Sequence, residues 1–367
     1  MPHFSGFAGQ SESSPSPTTI AMSGSAKTFR SRRSLLRWAA VSVVGFFGLT
    51  ACATPDDAAP TVRVAAQPAA AGQSAGPGET GASSAGVNLS PQQNRITTPK
   101  VDSIAALVPA DIRKRGTLVV TGSAGSAPPL RFYADDDKTV IGAETDLAYL
   151  FADVLGLKVE LRAADWAQNF VQIDSGKADA FISNVTVTEQ RKQKYDFATY
   201  RKDDVAFEVG KNVSGAITRP KDAAGLKIAV SSGTNQEQLL LDWNKQNQAA
   251  GLQPIEISYY QNATDYYLAL GSGRIDAYLG PNPSAAYHVA VTGQTRIAGV
   301  VSGAGDALQG EIAVLTKKGN GLAPAYAAAI NETIANGSYA KVLGRWNLSS
   351  EAVSRSAVNP PGLPAEG

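Results

Sequence analysis

The pattern Ser-Gly-basic-x-Asp-Ala occurs twice, in "SGKADAFIS" starting at Ser175 and in "SGRIDAYLG" starting at Ser272. Each copy follows a stretch with helical spacing of apolar residues, "WAQNFVQID" and "ATDYYLALG", and each runs into a short apolar segment that reads as a buried strand. Glycine just past a helix supplies the left-handed turn that ends it. A helix-turn-strand unit used twice predicts two similarly built halves, because each unit buries its apolar face only against neighbours of its own sheet.

The flanking segments agree. Around the first copy, "GTLVVTGS" and "KVELRAA" are strand-like, and "TDLAYLFADVLGL" carries Leu147, Leu150, Phe151, Val154 and Leu155 on one helical face closed by Gly156. Around the second, "GLKIAVSSGT" and "IEISYYQ" read as strands and "NQEQLLLDWNKQN" as a helix. Further on come a strand, "EIAVLTKKG", and a helical pair, "LAPAYAAAINETIANGSYAKVLGRW". Strands alternating with helices place the chain in the α/β class, with largely parallel sheets flanked by helices.

Roughly the first hundred residues follow neither period and are rich in Ala, Ser, Pro, Gly and Thr. Within them, "SRRSLLRWAAVSVVGFFGLTAC" combines Arg32, Arg33 and Arg37 with an apolar run from Trp38 to Leu49 that is too short to span a bilayer comfortably. This is the composition of an export signal. Ser31 to Arg37 resembles the twin-arginine consensus, and Leu49-Thr50-Ala51-Cys52 resembles a lipobox cleaved before a lipid-modified cysteine. Cys52 is the one cysteine, which rules out an intramolecular disulfide and leaves lipid attachment as its expected role. Several acyl chains there would hold the mature protein at the outer or periplasmic face of the cell membrane. The expected layout is a signal peptide over 1–51, a disordered tether over 52–105 and a disordered tail over 351–367.

Other chemistries find little footing. "GQSAG" around Ser74 matches a nucleophile pattern, but such a serine needs a strained strand-to-helix turn and a histidine base, and it lies in a Pro/Gly/Ala linker. His288 is the single histidine after the signal, so a His/Cys metal cluster is not expected, nor any cofactor or catalytic residue. A formal charge of +1 over 367 residues argues against nucleic-acid binding.

Seven blocks, in order, resemble the extracellular solute-binding proteins of polar amino-acid ABC importers. They are "RGTLVVTGS" with "PPLRF", "GAETDLAYLFADVLGLKVEL", "DW" before an amphipathic helix, "SGKADAFISNVTVTEQRKQKYDFATYR", "LKIAVSSGTNQEQ", "SGRIDAYLG" and "NGSYAKVLGRWNL". The resemblance implies a two-lobed periplasmic binding protein fold of type II, two sheets flanked by helices and joined by two crossover strands. It places lobe 1 at 106–206 plus 310–350 and lobe 2 at 207–309, with crossings near 206–210 and 305–311. It implies a monomer that binds an amino acid or related carboxylate between the lobes and passes it to ABC transporter permease subunits.

The same resemblance assigns residues. Arg191 falls where the family's arginine grips the ligand α-carboxylate, a task suited to a guanidinium fork. Ser183 and Thr186 fall beside it on the first wall, and Trp166 matches the aromatic shelf under the ligand side chain. From the second lobe Gly233, Thr234 and Asn235 stand at a strand-to-helix turn, whose backbone N–H groups suit an anion. Plainer readings stay open: Arg191 as a surface charge beside Glu189, Trp166 as core, Thr234 as a simple helix N-cap. Tyr195 and Phe197 are expected in the core.

Two departures bear on the ligand. "SAPPLRF" puts Ala127 and Leu130 where many members carry aromatics, and the acid expected to hold the α-ammonium is Pro281, with neutral Asn282 beside it. Either another acid, Glu311 being the candidate, replaces it, or the ligand is not an ordinary α-amino acid. Three other functions share the fold: a dehydratase of prephenate-like acids, a regulatory module of a peptidoglycan lyase, and an accessory protein with a vestigial cleft. The first lacks a placed proton donor at position 281, and the second lacks a following catalytic domain.

Overall fold

The computed structural model describes residues 86–365. The export signal, the lipobox with Cys52, Ser74 and the tether up to residue 85 therefore lie outside the described residues. The first lobe opens with α1 (Asp102–Ala105), α2 (Ala110–Arg115), β1 (Thr117–Gly122), β2 (Phe132–Tyr133), β3 (Val140–Ile141), α3 (Ala143–Leu155), β4 (Lys158–Ala163), α4 (Trp166–Asp174) and β5 (Ala180–Phe181). A strand of 16 residues, β6 (Tyr195–Gly210), leads to the second lobe. There follow β7 (Lys227–Val230), α5 (Asn235–Ala249), β8 (Glu256–Tyr259), α6 (Ala263–Gly271), β9 (Ala277–Pro281), α7 (Asn282–Thr292) and β10 (Thr295–Ser302). The chain returns to the first lobe through β11 (Gly310–Lys317), α8 (Leu322–Ala335) and α9 (Ser338–Arg345).

The strands are ordered β4-β1-β5-β11-β6-β9-β7-β8, with β10 also on β6. In each lobe one strand lies parallel between two others, β1 between β4 and β5, and β7 between β8 and β9, as helical crossovers require. The strands that connect the lobes run antiparallel. Up to Asp203, β6 pairs with β11; from Asp204 onward it pairs with β10, and from Val205 with β9. The exchange of partners thus falls between Asp203 and Asp204, earlier than the 206–210 expected for the crossing, and the return runs between Ser302 and Gly310.

The helical stripe of α3 is the centre of the first core. Leu147, Leu150, Phe151 and Val154 are fully buried with Leu118 and Val120 of β1 and Tyr326 and Ile330 of α8. Each such side chain contributes about 1.5 to 3 kcal/mol of burial free energy. Gly156, at φ 67°, ends the helix in a left-handed turn. The second core gathers Ile228, Val230, Leu240 and Leu279 around Phe207 and Trp243, whose rings stack at 5.2 Å. Tyr195 and Phe197 are buried in a smaller cluster under Trp166. The first lobe also buries a charge cluster, in which Arg201 pairs with Glu144 at 3.0 Å and with Glu351, while the Tyr200 hydroxyl donates to Glu144.

Both expected disordered segments need correcting over their described residues, 86–105 and 351–365. Residues from Gly86 pack on the first lobe: Val87 and Gln93 are buried, Arg95 pairs with Asp146 at 3.0 Å, and α1 lies within the span assigned to the tether. At the other end, the chain from 351 to 365 is a strap. Thr199 and Ala357 exchange hydrogen bonds, Lys192 Nζ donates to Pro360 O, and Leu363 bonds Val187 and Glu189 through its backbone. Its side chain, 4% exposed, joins the core of the second lobe. Neither segment has a helical or alternating apolar pattern; tertiary contacts order them. No described helix is long and apolar enough to cross a membrane, and no metal-holding group of His, Cys, Asp and Glu occurs among the described residues.

Candidate functional site

Between the lobes lies a cavity of about 180 Å³. The first lobe lines it with Ser123, Ala127, Leu130, Asp165, Trp166 and Ser183, and the second with Thr234, Asn235, Gln261, Tyr266, Tyr278 and Pro281. The walls are held together. Trp166 Nε1 and Arg191 Nη2 both donate to Gly233 O, at 3.1 and 3.0 Å, and Ser284 Oγ donates to Ala127 O at 3.2 Å. The cleft is closed in this structure.

Of the residues expected at the site, Trp166, Ser183, Thr234 and Asn235 line the cavity, while Thr186, Arg191, Gly233 and Asn282 do not. Arg191 sits behind the rim, half-buried, donating to Thr186 O at 2.9 Å as well as to Gly233 O, with its guanidinium 5.3 Å from the centre of the Trp166 ring. Desolvation lowers its pKa to about 10, against the opposing pull of Asp203. It does not pair with Glu189, which instead binds Lys192 at 2.8 Å and accepts from Gly362 N. The surface-charge reading of Arg191 therefore fails. Thr186 is fully buried and donates its hydroxyl to Asp203 Oδ2 at 2.7 Å.

At the second wall, the turn before α5 is occupied by its own cap. Thr234 Oγ1 accepts from Glu237 N at 3.3 Å, and Gly233 N donates to Glu237 Oε2 at 2.6 Å. The N-cap reading of Thr234 holds, and the Gly233 donor expected to face an anion is taken by Glu237. Asn235 Nδ2 donates to Asp203 Oδ2 at 3.0 Å and to Gly303 O at 2.9 Å. Asn282 starts α7 away from the cavity. Glu311, the candidate replacement acid, lies on β11 with its carboxyl directed to Thr199 and is not part of the lining.

Three features of the site escaped the sequence reading. Tyr266 and Tyr278 stack at 3.7 Å and give the second wall an aromatic surface where the first wall has Ala127 and Leu130. Burial pushes the Tyr278 phenol up to about 12. The Tyr-Tyr pair in "ATDYYLAL" was the available signal. Asp165, exposed at the start of α4 and making no capping hydrogen bond, is the only charged side chain in the lining. Asp203, 1% exposed, lies under both walls. His288 is committed elsewhere, with Nδ1 2.5 Å from Glu208 Oε1 and its ring stacked on Tyr267.

A two-lobed α/β architecture closed over a cavity of mixed polar and aromatic lining is the form of a solute receptor. Residues 119–349 match the family of bacterial extracellular solute-binding proteins, family 3, and the chain belongs to that family. Among curated relatives it is 36% identical over 169 residues to the L-cystine-binding protein of Escherichia coli (strain K12), covering 46% of this chain and 60% of that one. It is 28% identical over 267 residues to the arginine-binding protein of Corynebacterium glutamicum, covering 72% and 85% of the two chains. Among solved structures, an ancestral arginine-binding protein bound to arginine is similar at 30% identity and a TM-score of 0.55, over 63% of this chain and 98% of that one. An ancestral amino acid-binding protein, described as a precursor of cyclohexadienyl dehydratase, is similar at 25% identity and a TM-score of 0.54, covering 64% and 97%.

Proposed function

We propose that this chain is the substrate-binding component of an ABC importer, one that closes around an amino acid or a related small carboxylate. The observation that carries the proposal is the cavity itself, walled by both lobes and lined by hydroxyl, amide and aromatic groups with one carboxylate, Asp165. Neutral donors and acceptors suit a ligand that must be released again, and closure requires only that the ligand bind the shut form more tightly than the open one. Relatives named for binding cystine and arginine support an amino-acid ligand. In this reading Asp165 supplies the anionic partner for a ligand ammonium that position 281 lacks. Arg191 captures the carboxylate with the guanidinium N–H groups that Thr186 O and Gly233 O leave over. Cys52 carries the lipid that keeps the receptor at the membrane, and the permease subunits receive the ligand from the opened cleft.

A thermal-shift panel of the twenty amino acids, cystine, simple amines and their deaminated acids, followed by calorimetry on the best binder, tests the reading. One-to-one binding of an amino acid or carboxylate is expected; saturable binding of sugars or metal ions alone would refute it. The dehydratase alternative predicts turnover of prephenate above background, and the expected result is none.

A further inference from the structure

Asp203 stands at the exchange point of β6, where the strand leaves β11 for its partners in the second lobe. Its Oδ2 accepts from Thr186 Oγ1 of the first lobe at 2.7 Å and from Asn235 Nδ2 of the second at 3.0 Å. Its backbone carbonyl accepts from Gly303 N at 2.8 Å and lies 3.4 Å from Gln309 Nε2, so the returning crossover is fastened to the same residue. Asn235 completes the loop by donating to Gly303 O. Gly303 is a requirement of this arrangement, since a Cβ there would come within 1.8 Å of the Asp203 carboxylate. One residue, through its carboxylate and its backbone carbonyl, therefore bonds to both lobes and to the returning connection between them.

We infer that Asp203 is a positioning residue of the cleft, whose carboxylate holds Thr186 and Asn235, one from each lobe, in the relation that the closed state needs. The inference rests on reading the cleft as the ligand site, but the geometry it concerns is measurable without ligand. Opening the lobes moves Asn235 with α5 and breaks its bond to Asp203, while the bond to Thr186 stays within the first lobe.

Closure is then coupled to a proton. Burial raises the Asp203 carboxyl to about 6 in the closed form, with the Thr186 hydroxyl, Arg201 and Arg191 pulling it back down, Asp204 adding to the rise, and Glu351, itself pushed up to about 7, repelling it from beside Arg201. Opening lets water reach the group and returns it toward the ordinary carboxylate value. A carboxyl whose pKa is higher in the closed form takes up a proton on closing, so closure is favoured as pH falls through about 6 and disfavoured above it. An amide at this position keeps an acceptor for both donors and has no charge to desolvate.

The test uses full-length protein carrying Cys52→Ser, spin-labelled at Gln168→Cys and Thr264→Cys, two exposed positions on the helices that begin at the opposing rims. Distance distributions without ligand give the closed-to-open ratio for wild type, Asp203→Ala and Asp203→Asn between about pH 5 and about pH 8. Asp203→Ala is expected to lower the ratio roughly tenfold near pH 6 through loss of the charged hydrogen bond to Asn235. Wild type is expected to close further as pH falls, and Asp203→Asn to stay closed with no such dependence. A wild-type ratio in Asp203→Ala, or an unchanged pH profile in Asp203→Asn, overturns the inference. Where Asp203→Ala does not fold, the Asp203→Asn profile alone decides.

Discussion

Replacing Arg191 by alanine separates the closing contact it makes in the structure from the carboxylate role proposed for it. Its guanidinium donates to Thr186 O within the first lobe and to Gly233 O across the cleft. Only the second bond changes when the lobes part. A hydrogen bond from a charged donor contributes about 1.5 to 3 kcal/mol, and a half-buried guanidinium that keeps contact with water belongs at the low end. Trp166 Nε1 still donates to Gly233 O in the variant, so closure is weakened and not abolished. The loss of closure alone therefore raises Kd about tenfold. If Arg191 also takes the ligand carboxylate, a second charged interaction of similar size brings the total to about a hundredfold. Calorimetry on wild type and Arg191→Ala, with the best-binding amino acid and its decarboxylated analogue, reads the two contributions apart as in a double-mutant cycle. For arginine the analogue is agmatine. The expected result is about a hundredfold loss for the amino acid and about tenfold for the amine. Equal losses for both ligands would refute the carboxylate role, and no loss for either would refute the closing role as well.

Four other outcomes are expected. Asp165→Asn should weaken an amino acid at least about tenfold while leaving its deaminated acid unchanged in calorimetry, if that carboxylate meets the ammonium. Arg201→Met leaves Glu144 and Glu351 buried without their cation, at a cost of about 3 to 5 kcal/mol in urea unfolding. Glu351 is already pushed up to about 7 by burial, so its contribution to stability is present below the unfolded value near 4.5 and is lost as pH rises through about 7; unfolding of the variant should therefore be easiest above pH 7. Leu363→Ala should cost about 2 kcal/mol, the lower end for a buried leucine because the strap can relax around the gap, and chemical denaturation measures it. Cys52→Ala should leave unprocessed precursor in membrane fractions, and normal appearance of lipid-modified protein would remove the anchor from the account.

The elements that local pattern specifies were legible. The α3 stripe from Leu147 to Leu155 reads directly as a buried face, and the repeated Ser-Gly-basic-x-Asp-Ala pattern marks the step from α4 to β5 and from α6 to β9. The partner exchange in β6 was harder to place. Its residues are nearly all buried, alternating mainly over Arg201 to Val205, and the strands that change places, β9, β10 and β11, lie far downstream in the chain. Nothing local records where one replaces another. The strap after 350 was missed for a related reason: Leu363 stands alone among prolines and glycine, and only the groove beside Val187 makes it a core residue. At the site, resemblance located Trp166, Ser183, Thr234 and Asn235 on the cavity wall. It could not show that Gly233 offers its carbonyl to Arg191 and Trp166, because backbone direction is set by the left-handed turn at φ 75°.

The strap has one more consequence. Pro364 and Ala365 are exposed and share a depression with Arg191, Gly233 and Gln238, where the two lobes meet. A dye attached at Ala365→Cys, with Cys52 replaced, would rest against the seam that moves when the receptor opens or shuts. The fold thus offers a built-in mounting point for an optical reporter, one whose emission would follow ligand capture without any label inside the cavity.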